Sequence, residues 1–174
     1  ATDNPPCRDW RGRIGSCGDY LCPSRMIIVE KTDPHDPQAT SLLKQSHALM
    51  QSLFPPEDNF YLDIADLVDP SIHFFAARIG NALCGTGALA VKDGYGEVKS
   101  MFVAEDARGK GVADAILRQI EDQARADKIP VLKLETGDVL YAAHRLYRRF
   151  GFQECGVFGD YGAGNRSVFM EKTI

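Results

Sequence analysis

Three apolar runs follow one another between Ile72 and Val103 with little between them. Ile72–Ile79 is joined to Ala82–Val91 by Gly80-Asn81 alone, and Lys92-Asp93-Gly94 leads on toward Glu97–Val103. A two-residue Gly-Asn link between apolar runs reads as a hairpin, and the third run extends it to a three-strand meander. The period then changes. Ala113, Ile116, Leu117, Ile120 and Ala124 share one helical face, while Arg118, Glu121, Asp122 and Arg125 share the other. This helix stops before Ile129-Pro130, and Val131–Thr136 reads as a strand. A strand that follows a helix defaults to a parallel neighbour reached by a right-handed crossover.

The flanks extend the pattern. Residues 26–31 read as a first strand, and Thr32–Pro37 as a loop rich in Asp and Pro. Ala39, Leu42, Leu43, Leu49, Met50, Leu53 and Phe54 recur near helical spacing until Pro55-Pro56 ends the run. A last helix is expected over Val139–Phe150, closed by Gly151. Phe152–Phe158 and Ser167–Glu171 are expected as two closing strands around a Gly-rich loop. The order makes a mixed α/β domain over residues 26–174.

Residues 1–25 are unlike the rest. They hold three Pro, three Gly and three of the five cysteines, with no apolar periodicity. Met26 reads as the natural start, and the preceding stretch as an N-terminal extension, irregular or not native to the domain. Gaps of nine and four residues between Cys7, Cys17 and Cys22 form no paired Cys-x-x-Cys knuckles, so no metal site is expected. The domain keeps only Cys84 and Cys155, as a reduced cytoplasmic protein would. Hydrophobic residues at 44% allow a sizeable core, and a net charge of -4 gives no global attraction to nucleic acid or anionic membranes. No apolar run approaches the roughly 20 residues that span a bilayer. Neither a membrane nor a nucleic acid is therefore expected as a partner.

Chemistry concentrates between Val103 and Ala113. A strand ends, a loop carries Gly109 and Gly111, and the amphipathic helix begins. A helix N-terminus offers unpaired N–H groups and the positive end of the peptide dipoles. Glycines let an anion approach the backbone, and Arg108 and Lys110 add positive charge. Together they make a phosphate or pyrophosphate cradle. The Walker pattern does not fit, because Val112 stands near where Ser or Thr is required. The three spaced glycines of the dinucleotide fingerprint are missing too.

Arg108-Gly109-Lys110-Gly111-Val112-Ala113 resembles the Arg/Gln-x-x-Gly-x-Gly/Ala signature of the GNAT superfamily of N-acetyltransferases. Glu97–Val103 resembles the family's strand before that loop. Ala143 to Phe152 resembles its Ala-x-x-x-Tyr-x-x-x-Gly-Phe motif. The resemblance implies a mixed, mostly antiparallel sheet flanked by helices, with its central strands splayed apart. It implies acetyl-CoA as cosubstrate and a small-molecule amine as acceptor. Gly109, Lys110, Gly111, Val112 and Ala113 would hold the pyrophosphate through backbone N–H groups, with Arg108 at the entrance. Met101, Phe102 and Val103 would line the gap taken by the pantetheine arm, where a backbone N–H would polarise the thioester carbonyl.

Aminolysis of a thioester requires deprotonation of the amine, stabilisation of the oxyanion and protonation of the thiolate. By resemblance, Tyr147 is the general acid near the sulfur, and Glu97 the candidate base. Glu135, His73 and His144 are weaker candidates for the base. One position departs from the family: Leu140 stands where many relatives carry an Asn, seven residues before the motif tyrosine. The acceptor site is expected from the first helix, the Phe54–Phe60 loop and the Phe158–Arg166 loop, with Asp160, Tyr161 and Arg166 as recognition residues. A non-catalytic acetyl-CoA-binding module is the alternative. Dimers are common in the family, so a homodimer through the C-terminal edge strand is a further expectation.

Overall fold

The computed structural model describes residues 26–161 and 166–174. The readings made on residues 1–25, and on residues 162–165 of the last loop, lie outside the described residues.

The first strand, β1, is Ile27–Lys31. Helix α1, Pro37–Leu53, starts where the sequence supplies a cap. The Asp36 carboxylate accepts hydrogen bonds from the N–H groups of Gln38 and Ala39, at 2.9 and 3.1 Å, and Pro37 enters the first turn. Such a cap stabilises a helix by about 1 kcal/mol. The meander follows as β2 (Ile72–Ile79), β3 (Ala82–Lys92) and β4 (Tyr95–Val103). Helix α2 is Val112–Ala126, β5 is Val131–Gly137, α3 is Tyr141–Arg149, and β6 (Gln153–Glu154) and β7 (Ser167–Thr173) close the chain.

Among the described residues the strands form one seven-stranded sheet in the order β1-β2-β3-β4-β5-β7-β6. All neighbours are antiparallel except β4 and β5, the parallel pair expected after a helix. That pair is short. Gly96 lies opposite Leu132 and Glu97 opposite Lys133, and the pairing goes no further. Beyond it β4 runs to Val103 and β5 to Gly137 as separate edges, so the sheet is splayed at its centre.

Strand alternation gives each face its own core. On one face Phe75, Leu89, Val98, Leu132 and Leu134 pack against Ile116, Leu117 and Ile120 of α2. On the other, Phe74 and Ala88 pack against Ala39 and Leu43 of α1. Glu97 lies opposite Ala90, and Lys99 opposite Ala88, so both belong to the α1 face.

Two expected elements differ in extent. The strand read over Phe152–Phe158 is ordered as a strand only at Gln153–Glu154. The Cys155 N–H still bonds the Phe169 carbonyl at 2.9 Å, but the chain then leaves the edge. Phe158 instead packs edge-on against Tyr95, Tyr161 and Phe169, with ring centroids 5.4–5.6 Å away. Aromatic packing outweighs further pairing on that edge. The last helix begins two residues later than read, at Tyr141.

Candidate active site

The loop that opens α2 is built by backbone. Gly109 and Gly111 hold φ of +75° and +85°, the left-handed region where any other residue is strained. A Cβ at Gly109 would meet nothing within 4 Å, and one at Gly111 only the Ile27 Cδ1 at 3.9 Å. The loop is therefore open to a ligand, and its glycines serve conformation more than packing. Gly111 caps α2 without a side-chain hydrogen bond, and its carbonyl accepts the first helical bond, from Ala115. The N–H groups of Gly109, Lys110, Gly111, Val112 and Ala113 find no acceptor among the described residues. Five donors at a helix N-terminus, with Arg108 and Lys110 beside them, fit a pyrophosphate. Arg149 pairs with Asp114 at 2.6 Å, which offsets the one acidic side chain in that first turn.

The strand that leads into this loop carries a bulge. Thr86 lies opposite Phe102 but Ala88 opposite Lys99, so β4 spends one residue more than β3 across this stretch. The extra residue is Ser100, at φ +52°. That conformation costs about 1–3 kcal/mol and is held only because its surroundings require it. The Thr86 hydroxyl supports it by donating to the Ser100 carbonyl at 2.9 Å. A bulge shifts every later side chain to the other face. Lys99 thus stays on the α1 face while Met101 joins the α2 core. Phe102 and Val103 remain paired with β3 and have no partner in β5. The Ser100 hydroxyl is buried with no hydrogen-bond partner among the described residues.

Glu97 stands at the last paired position before the strands part, and it is 5% exposed. The Tyr161 hydroxyl donates to its carboxylate, and the Lys99 ammonium lies 3.3 Å from it. Lys99 also donates to the Phe60 carbonyl at 2.9 Å and to the Tyr161 oxygen. Burial, reinforced by the bond to Glu97, pushes the Tyr161 phenol well above its ordinary pKa, so it remains a donor at neutral pH. Glu135 enters the same face from β5, and burial raises its carboxyl above the usual range while Lys99 opposes the rise. Beside Glu97 lies a cavity of about 290 Å³ that Phe60, Lys99, Gly159, Asp160 and Tyr161 help to line. Of the three segments expected to build an acceptor site, Phe60 of one loop and Gly159, Asp160 and Tyr161 of the other line this cavity, and no residue of α1 does. Arg166 does not join them: it bonds Asp138 and the Leu53 carbonyl, both at 3.3 Å, and lies over the Phe54 ring.

Tyr147 lies on the inner face of α3, buried at 6% exposure with its ring edge-on to Phe152. Its hydroxyl makes no hydrogen bond to the described residues, and burial holds the phenol proton far above the ordinary range. One turn earlier, the His144 Nε2 bonds the Gly137 carbonyl at 2.9 Å, which occupies one ring nitrogen in anchoring α3 to the end of β5. His73 is remote from this face: it pairs with Asp127 at 2.9 Å, at the C-terminal end of α2. Sequence reading passed over Lys99, although its position two residues after Glu97 on a strand put both on one face.

Comparison with known proteins agrees with this geometry. Residues 39–152 match the family model described as "Acetyltransferase (GNAT) family". A protein of Azospirillum brasilense named IAA acetyltransferase is 40% identical over 152 residues, covering 85% of this chain and 98% of its own length. A solved structure from Klebsiella pneumoniae, assigned as an acyl-CoA N-acyltransferase, superposes with a TM-score of 0.75 at 28% identity, covering 86% of this chain and 98% of that one. The PaiA N-acetyltransferase of Thermoplasma acidophilum, solved in complex with coenzyme A, shares the fold at 15% identity and a TM-score of 0.67, over 86% and 99% of the two chains. The chain belongs to the GNAT family and is an acetyl-CoA-dependent N-acetyltransferase.

Proposed function

We propose that the protein moves an acetyl group from acetyl-CoA to the amine of a small molecule held in the cavity beside Glu97. The observation that carries this reading is the parting of β4 from β5 immediately after Glu97, with the Gly109–Ala113 donors at the end of the same strand. A thioester that enters the parting from the loop meets an acceptor that enters from the α1 face. The pyrophosphate sits on the five N–H groups, with Arg108 and Lys110 flanking it. Backbone groups of Met101 to Val103, freed from any β5 partner, hold the pantetheine arm and polarise the carbonyl.

Glu97 takes the proton from the acceptor nitrogen, directly or through a water. Tyr147 gives a proton to the departing sulfur. Its place in the Ala143–Phe152 motif and a hydroxyl left without a partner among the described residues support this role. Glu135 is set aside as the base, since it lies two residues farther along β5 than the level of Glu97.

A free-thiol assay for coenzyme A release, run across amines, amino acids, polyamines and aminoglycosides, tests the reading. Acetyl-CoA binds in calorimetry and at least one acceptor drives release. Tyr147→Phe lowers kcat by about 10²-fold while acetyl-CoA affinity changes little. Absence of acetyl-CoA binding by the folded protein overturns the proposal, and unchanged turnover in Tyr147→Phe removes that residue from the mechanism.

A further inference from the structure

The cavity beside Glu97 has a charge pattern that narrows the acceptor. One wall is apolar: Phe60, Leu62, Ile72 and Ala90. Four charged residues complete it, Glu97 and Asp160 against Lys92 and Lys99. They sum to zero. Lys99 is committed internally, because its three N–H groups face Glu97, the Phe60 carbonyl and the Tyr161 oxygen. Lys92 is different. It ends β3, is exposed, and makes no hydrogen bond or ion pair among the described residues. Ala90 lies opposite Glu97, and Lys92 is two residues farther along β3 on the same face. Two residues of strand place it about 7 Å along the sheet from the level of Glu97.

An amine reaches the protein as an ammonium at neutral pH. A lining of zero net charge suits it best when the same molecule brings its own anion. A polyamine or an aminoglycoside, with several cations, finds two carboxylates, Glu97 and Asp160, set against the two lysines Lys92 and Lys99. A volume near 290 Å³ lies at the small end of ligand pockets, enough for one compact molecule. The apolar wall requires that this molecule also have an apolar body.

We propose that the acceptor is a free α-amino acid with an apolar side chain, its amine at Glu97, its carboxylate at Lys92 and its side chain on the Phe60–Leu62–Ile72–Ala90 wall. This inference rests on the acetyl-transfer reading above. In the reaction the nitrogen lone pair forms a C–N bond to the thioester carbonyl carbon and the C–S bond breaks. The ammonium gives up two protons overall: one is released to solvent through Glu97, and the thiolate gains one. The products are an N-acetyl amino acid and free coenzyme A.

The test compares leucine, methionine and phenylalanine with their carboxamides, with spermidine and with kanamycin, in the coenzyme A release assay. Calorimetry with acetyl-CoA runs in parallel. Loss of a charge-assisted contact predicts kcat/KM about tenfold higher for an amino acid than for its amide. In Lys92→Met that ratio falls to near one through loss of the acid's advantage, with acetyl-CoA affinity retained. Equal use of acid and amide, preference for spermidine or kanamycin, or no release with any amino acid overturns the proposal. If acetyl-CoA binds in those cases, acetyl transfer to another acceptor stands; if it does not bind, the parent reading fails as well.

Discussion

The two halves of the site are made of different material. The loop at Arg108–Ala113 is backbone: two glycines at positive φ and five N–H donors without an acceptor among the described residues. The cavity beside Glu97 is side chain: a carboxylate and an ammonium from β4 and a phenol from the Phe158–Arg166 loop, bonded to one another. A backbone site recognises what every use of the cofactor shares, so it tolerates sequence change outside its glycines. A side-chain site recognises one acceptor and is rewritten residue by residue. The same contrast governs how each half responds to substitution.

The largest expected effect breaks the backbone half. Gly111→Glu puts a bulky anion at a φ of +85° in the mouth of the cradle. It lowers acetyl-CoA affinity by about 10³-fold or more, through like-charge repulsion and backbone strain together, as read by calorimetry. Circular dichroism checks that the variant is folded.

Glu97→Gln breaks the side-chain half. The amide keeps the size and accepts from Tyr161, but takes no proton from the acceptor. Turnover falls by about 10²-fold with acetyl-CoA affinity retained, measured as kcat in the release assay against calorimetry. Tyr161→Phe is milder. It removes the donor to Glu97 and leaves the ring packed against Phe60, Phe158 and Phe169. A lost hydrogen bond to a charged group predicts about a tenfold fall in kcat/KM, rescued in no part by raising acetyl-CoA.

The smallest effect is on stability. Burial raises the Glu135 pKa above its unfolded value, so ionising it opposes folding. A carboxyl with a raised folded pKa loses stability as pH climbs past the unfolded pKa, and the loss is complete above the folded one. Glu135→Gln is therefore more stable than the unaltered protein at pH 8. The difference in Tm shrinks to nothing by about pH 3.5, where both forms are neutral. A constant difference across that range contradicts the assignment.

What could be read from the chain divides along the same line. The meander from Ile72 to Val103 rests on short links and local periodicity, and the structure keeps its strands to within two residues. The cradle was legible for a similar reason: Gly109, Lys110 and Gly111 are adjacent, and the helix after them is amphipathic. The Glu97–Tyr161 bond joins residues 64 positions apart, and nothing local in either segment announces it. The Ser100 bulge is equally silent, because serine has no preference for positive φ that would flag it. Phe152–Phe158 misled because its apolar residues suit a strand, yet Phe158, half-buried, packs among Tyr95, Tyr161 and Phe169 off the sheet edge.

The central claim is that cofactor and acceptor are held by separable halves. Calorimetric titration of acetyl-CoA into the unaltered protein, Glu97→Gln and Gly111→Glu tests it most directly. The account predicts that the first two bind with dissociation constants within about twofold of each other, as independent sites should, and that Gly111→Glu shows no binding while still folded. Equal binding by Gly111→Glu, or loss of binding in Glu97→Gln, contradicts it.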